Sequence, residues 1–339
     1  MRCASYRIFA VSIICGLSGI VFVSMAVGEA WTNKADMLNA RSDLSTVVLD
    51  GKIYAIGGRE QGDTIVVAIE EYNLAGNKWT KKTNMIRSRR SLSTCVVNGK
   101  IYAIGGFSAP WVAIFSTVQA YDPLTNKWPE KANMPTPRYS LSASIVNGKI
   151  YAIGGLTEGD IPTAVVEEYD PVTDKWTKKA DMPTARYGLG TSVANDRIYA
   201  IGGSNAANAS LSTVEEYNTV SDEWIKKADM ITARYGLGTS AGGRKIFAIG
   251  GIDAGSISLS KVEEYDTVLD IWTPKKSMPT ERGNLSTCVL KGRIYAIGGA
   301  GADGVGLSIV EEYTPEGGSF SISPQGKLAM KWGKIKQSL

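Results

Sequence analysis

From Arg186 to Lys227 the chain alternates between short apolar runs and turn residues in a fixed order. A run of mostly small residues, Leu189-Gly190-Thr191-Ser192-Val193, comes first and is closed by a turn at Asn195-Asp196. Arg197-Ile198-Tyr199-Ala200-Ile201 is then almost continuously apolar and stops at Gly202-Gly203. After a variable stretch comes Ser212-Thr213-Val214-Glu215-Glu216-Tyr217, and a second turn leads to Trp224-Ile225-Lys226-Lys227. Short runs bounded by Gly, Asn and Asp read as strands, so the unit predicts four strands joined by turns. Asp50-Gly51, Asn98-Gly99 and Asn147-Gly148 fill the first turn elsewhere; such pairs accept positive φ and favour a tight hairpin. A strand apolar on both faces must be covered on both. The Gly-Gly that ends it predicts a bulge or a close backbone approach.

This unit recurs. Trp31, Trp79, Trp128, Trp176, Trp224 and Trp272 are spaced 48, 49, 48, 48 and 48 residues apart, and a Gly-Gly pair keeps the same beat from Gly57-Gly58 to Gly298-Gly299. A period near 50 means a propeller or another repeat array. Four antiparallel strands per period predict an all-β, six-bladed β-propeller whose small-residue first strands line a narrow axis. Trp31-Thr32-Asn33-Lys34-Ala35-Asp36-Met37 matches Trp176–Met182 at six of seven positions but has no earlier strands of its own. Residues 31–37 are therefore predicted to close the ring as the outer strand of the last blade, beside residues 309–314. Phe320 falls where a seventh Trp would stand. The expected organisation is a leader at 1–30, a propeller at 31–320 and a basic tail at 321–339.

Trp, Gly-Gly and Glu-Glu-Tyr at these offsets resemble the Kelch repeat, from Trp31 to about Phe320. The resemblance implies a propeller of four-stranded blades, of the bacterial exported type. The second copy departs from the pattern, with Gln119-Ala120-Tyr121 in place of Glu-Glu-Tyr.

Charge and chemistry narrow the function. The formal net charge is +4, and the charges are interspersed without a basic block, which gives no reason to expect nucleic acid as a partner. The chain has no histidine, the commonest general base and a common metal ligand. No metal or other cofactor is expected, and a copper radical oxidase, which resembles this fold but needs histidine ligands, is excluded. Cys95 and Cys288 share one repeat slot on separated blades and are read as buried free thiols. Ile8–Val27 is an uncharged run behind Arg2 and Arg7, followed by small residues. It reads as an export signal, with an uncleaved anchor as the rival, so contact with a membrane is expected only through residues 8–27. The expected location is extracytoplasmic, periplasmic or secreted.

Adjacent glutamates such as Glu215-Glu216 point to opposite faces of a strand and so cannot converge on one substrate atom; structural ion pairing is the reading. An arginine heads each inner strand, taken as Arg41, Arg90, Arg138, Arg186, Arg234 and Arg282. This circle either clamps a ligand's carboxylates or pairs with the repeat glutamates. Tyr139, Tyr187 and Tyr235 stand beside three of the arginines and make the circle unequal. In the second loop, Phe107, Trp111 and Phe115 form either an exposed binding patch or a cap on the channel. Asn208-Ala209-Ser210 is a formal glycosylation triplet, and the acidic loop residues, Asp160 among them, are too scattered to assign a calcium site. The expected function is a non-enzymatic propeller binding a protein or glycan through its loop-bearing face. The alternative is an enzyme resembling the Kelch sialic-acid mutarotases, acting on an acidic sugar.

Overall fold

In a computed structural model that describes residues 28–108, 113–316 and 318–319, the repeats form six four-stranded antiparallel sheets. The fourth blade is typical: Gly190–Ala194, Arg197–Ile201, Val214–Asn218 and Glu223–Lys227, in spatial order along the sheet. The first strands meet around the axis, where small side chains let them crowd. Their hydroxyls bond from blade to blade, with Ser45 to Thr94, Ser142 to Thr191 and Thr46 to Ser286 each at 2.8 Å.

The ring closes as the sequence predicts. Ala30–Asn33 pairs with the last third strand, in the register Trp31↔Tyr313 and Asn33↔Glu311. The contact continues where the amides of Lys34 and Met37 donate to the carbonyls of Val310 and Ser308, both at 2.9 Å. The run from Ile8 to Val27, Trp111, Phe320 and the basic tail lie outside the described residues. Among those described, no helix is long and apolar enough to cross a membrane.

The core lies between blades. Tyr151 and Ile153 of the third blade pack against Ile198, Ala200 and Tyr217 of the fourth. Burying one such Ile side chain stabilises the fold by about 2 kcal/mol. Each repeat Trp stacks on its blade's Tyr, as Trp224 does on Tyr217 with centroids 4.8 Å apart. Its indole also ties two blades together: Trp224 Nε1 donates to the Ala180 carbonyl at 3.0 Å, while the Ala180 amide donates to Asp222 Oδ1 at 2.9 Å. Trp31, Trp79, Trp176 and Trp272 make the same indole bond to the blade before them.

The second blade differs. Pro129 follows Trp128 and has no N–H to donate, so the outer strand shortens to Glu130–Lys131. Trp128 Nε1 is buried without a hydrogen-bond partner. A groove of about 490 Å³ lies at this seam, bordered by Thr83, Asn126 and Trp128.

The Gly-Gly pairs serve a close approach. Gly202 has φ +61°, and a Cβ there would stand 2.6 Å from the Arg234 carbonyl oxygen of the next blade. That oxygen accepts from the Gly203 amide at 2.9 Å. Cys95 and Cys288 are buried free thiols, as expected, and burial pushes each up to about 12.

Candidate functional site

The arginine circle resolves into two layers. Arg41, Arg138, Arg186, Arg234 and Arg282 are 0 % exposed. Each guanidinium meets the first glutamate of its own blade: Arg41–Glu70 at 2.5 Å, Arg138–Glu167 and Arg186–Glu215 at 2.7 Å, Arg234–Glu263 at 3.2 Å and Arg282–Glu311 at 2.6 Å. Each also donates to the first glycine carbonyl of its own blade, as Arg186 does to Gly202 at 3.2 Å. These five are framework pairs, and none of them presents a cation to a ligand. The second glutamate serves the opposite face of the strand, where Glu168 accepts from Tyr151 and Lys149, both at 2.7 Å. Burial pushes the equivalent Glu71 carboxyl up, but Lys52, Tyr54 and Lys82 outweigh it and hold the group below its ordinary value.

In the second blade the buried arginine is Arg89, and the assignment of Arg90 to that slot is corrected. Arg89 lies 16 residues before Gly105, the offset that joins every other framework arginine to its glycine. Gln119 replaces the glutamate and accepts from Arg89 at 3.2 Å, while the Phe115 ring covers the guanidinium at 4.9 Å. Burial, with no carboxylate in contact, lowers Arg89 to about 10. Phe115 is thus a buried packing residue rather than an exposed anchor.

Arg90 belongs to the next layer outward. It shares its slot with Ser42, Tyr139, Tyr187, Tyr235 and Gly283, and each residue of this set makes one antiparallel bridge to the residue after its blade's Gly-Gly. The slot makes the same backbone bridge in all six blades, while its side chains vary around the channel mouth. Tyr139, Tyr187 and Tyr235 occupy three consecutive blades, with Tyr187 and Tyr235 at 6.2 Å between centroids. Phe107 continues the arc, 5.3 Å from Tyr139 and under the Arg90 guanidinium at 5.3 Å. On the other side Arg59 meets Asp43 at 2.8 Å. Burial pushes the Asp43 carboxyl up, against the pull of Arg59 and Arg90.

The sequence reading missed Arg59 and Asp43 altogether and did not connect Asp160 and Asn208 with the tyrosines. The Tyr139 hydroxyl donates to Asp160, and that of Tyr187 to Asn208 Oδ1 at 3.0 Å; both partners stand 21 residues beyond their tyrosine. That shared offset is a signal the sequence carries. Burial, then Asp160, pushes the Tyr139 hydroxyl well above its ordinary value, so it stays protonated at neutral pH. A cavity of about 250 Å³ opens between Tyr139 and Tyr187. A larger groove of about 690 Å³ runs outward from Phe107 toward Thr157 and Asp160.

The basin has a floor. The amides of Ser91, Ser140, Gly188, Gly236, Asn284 and Asp43 each donate to the corresponding carbonyl of the preceding blade, at 2.7–3.0 Å, in a closed ring of six hydrogen bonds. Gly236, at φ +58°, makes room for the Asn284 side chain, whose Oδ1 would lie 2.2 Å from a Cβ placed there. Leu44, Leu92, Leu141, Leu189, Leu237 and Leu285 follow the ring in sequence, and the axial cavity they share with it measures about 90 Å³.

This architecture is matched by sequence as well as by shape. The Attractin/LZTR1 β-propeller model matches residues 101–314, more than half of the chain. The chain belongs to that β-propeller family. The KLHDC2/KLHL20/DRC7 Kelch-repeats domain matches residues 22–155, so the two matches together cover all six blades of this Kelch propeller. No curated protein matches the chain. Among solved structures, one titled "Structure of YjhT" superposes with a TM-score of 0.71 at 15% identity, covering 81% of this chain and 95% of that one. The likeness is one of fold.

Proposed function

We propose that this Kelch propeller is a binding protein that holds a glycan or protein ligand in the basin at the channel mouth. The observation that carries the reading is the slot Ser42, Arg90, Tyr139, Tyr187, Tyr235 and Gly283, where six similar blades present different chemistry on one shared bridge at the mouth. Tyrosines offer wide, stiff apolar faces with a polar tip, suited to a sugar ring or a peptide side chain. Arg90 and Arg59, set against the single carboxylate of Asp43, leave the adjoining arc net positive, favouring a ligand with an acidic group. A purely binding role fits Tyr139, because a hydroxyl held protonated by burial and Asp160 is a poor proton shuttle at neutral pH. The uncharged run at Ile8–Val27 supports export of the protein, and N-terminal sequencing of the natural protein is expected to begin between Val27 and Trp31.

One observation favours an enzyme acting on an acidic sugar as the second reading. Arg90, Tyr139 and Asp160 stand on one basin wall, which would set an acidic sugar's carboxylate beside a hydroxyl hydrogen-bonded to a second carboxylate. Incubation with sialic acid, followed by NMR of its anomers, separates the two readings.

The binding test is a titration of the protein against acidic and neutral glycans and extracellular proteins. Tyr187→Ala and Arg90→Gln are each expected to weaken the ligand found by about 2 kcal/mol, roughly thirtyfold. Asn147→Ala, at a turn on the opposite face, is expected to leave affinity unchanged. A ligand indifferent to both basin changes but lost with Asn147→Ala would place binding on the wrong side of the propeller.

A further inference from the structure

Five of the six seams between blades are closed by a clamp on one backbone residue. Between the third and fourth blades, the Ala180 amide donates to Asp222 Oδ1 at 2.9 Å and its carbonyl accepts from Trp224 Nε1 at 3.0 Å. The same two bonds hold Ala35, Ala132, Ala228 and Lys276 at four other seams. The clamp thus engages the N–H and the C=O of a single residue, which point the same way in an extended chain.

At the seam of the first and second blades the clamp is built but does not close on its residue. Asn126 Oδ1 takes the Tyr121 hydroxyl at 2.9 Å, as Asp174 takes that of Tyr169 at 2.6 Å. Trp128 stacks on Tyr121 with centroids 5.1 Å apart, the spacing of Trp176 on Tyr169. Thr83 stands four residues after Trp79, the place that Ala180 has after Trp176, yet it makes neither bond among the described residues. Trp128 is 5 % exposed, and its Nε1 is left buried and unpartnered. The groove of about 490 Å³ runs along this seam, with the exposed Ile86 and Pro129 beside Thr83 and Trp128. A buried donor without an acceptor is costly, so the indole favours an acceptor that reaches it.

We propose that this seam binds an extended peptide segment of a partner protein. One residue of the segment takes the place of Thr83 in the clamp, its carbonyl accepting from Trp128 Nε1 and its amide donating to Asn126 Oδ1. Entry widens the seam slightly, which the two missing bonds leave free to occur. An apolar side chain beside the clamped residue packs on Ile86 and Pro129. The closed seams argue for a peptide over a sugar, because in each of them the clamp holds backbone. An acetamido group does not serve, since the N–H and C=O of one trans amide point in opposite directions. The groove lies beside the turn at 122–127, at the end of the blade away from the mouth, so the proposal is independent of the basin and its ligand.

The experiment is NMR of the full chain, isotopically labelled at tryptophan, titrated with blocked alanine–serine pentapeptides that carry one leucine. Expected is a saturable downfield shift of the Trp128 indole N–H alone, assigned through its own backbone, with its proton exchange slowed at least tenfold. Trp128→Phe keeps the ring and should weaken the peptide about fivefold, the worth of one hydrogen bond. Asn126→Asp keeps the acceptor and should bind like the natural chain, whereas methylating the peptide amides should abolish the shift. N-acetylglucosamine should leave the resonance in place. The shift and the exchange are read on the natural sequence, so both stand even where a variant folds poorly. No shift with any of the peptides, a shift of several indoles together, or an equal response to N-acetylglucosamine would each overturn the proposal.

Discussion

A buried guanidinium needs a carboxylate, and five blades supply one. The sixth case, Arg89 beside Gln119, is the residue-scale anomaly, with Gln119 Nε2 buried and unpartnered. Removing one member of a buried ion pair costs about 3 kcal/mol or more, because the other charge stays buried. Glu215→Gln is expected to lose about that much in urea unfolding. Gln119→Glu should instead gain about 1 kcal/mol, by completing the pair that every other blade has. A loss with Gln119→Glu as large as that with Glu215→Gln would show that Phe115 and Thr117 already satisfy Arg89. The recurrence of arginine and glutamate was legible in the sequence, and so was their framework role as one of two readings. The adjacent Arg89 and Arg90, in the one interval of 49 residues, hid which was which, although the constant offset to the glycine distinguishes them.

Protonation belongs to the same scale. With no histidine, stability is expected to be flat from about pH 5 to 8, above which the unfolded thiols of Cys95 and Cys288 begin to ionise while the buried ones do not. Glu71 and Glu312 are held below their ordinary value despite burial, by Lys52 and Tyr54 and by Tyr295 and Arg293 respectively. Their contribution is complete above about pH 4.3, the unfolded value, and is lost as pH falls through the lower folded one. Tyr54, Tyr169 and Tyr295 are raised, first by burial and then by their carboxylate partners. Their contribution is complete below about pH 10 and is lost above it as the unfolded tyrosines ionise. Thermal unfolding followed across this range checks both edges; a transition near pH 6.5 would contradict the scheme.

At the scale of elements, strand order, hairpin turns and ring closure could all be read from periodicity, because a repeat displays the same pattern six times. The second copy's departure at Gln119-Ala120 was visible too, but not how its outer strand fails. Pro129 was visible as a residue, but its effect depends on backbone that only the folded blade defines. With Trp128 unpartnered and its outer strand short, the seam between first and second blades has lost a tie present at the other five. Amides of residues 118–121 are expected to exchange faster than their counterparts at 166–169 and 214–217. Pro129→Thr should slow them by restoring the donor. Equal protection in all blades of the natural protein would show that packing of Trp128 on Tyr121 suffices without the tie.

The whole molecule depends on its closure strand. Deleting residues 31–37 removes the outer strand of the last blade and exposes the edge of Val310–Thr314. Exposed edges invite pairing with another chain, so the deletion is expected to lower Tm by more than about 5 °C and to promote association in size-exclusion chromatography. A monomer melting at the original temperature would contradict the closure.

At the same scale, the ring of six amide-to-carbonyl bonds under the basin decides how a ligand can arrive. An axial void of about 90 Å³ has room for roughly three waters, and a polymer cannot pass through it. The basin narrows to this void, so a ligand too large for it must also leave by the mouth. A polysaccharide or polypeptide can be gripped by its tip or laid across the rim, but never threaded like a bead on a string. Recognition here would therefore count chain ends or exposed side groups, and its capacity for a long polymer should scale with the number of molecules and branches rather than with their length.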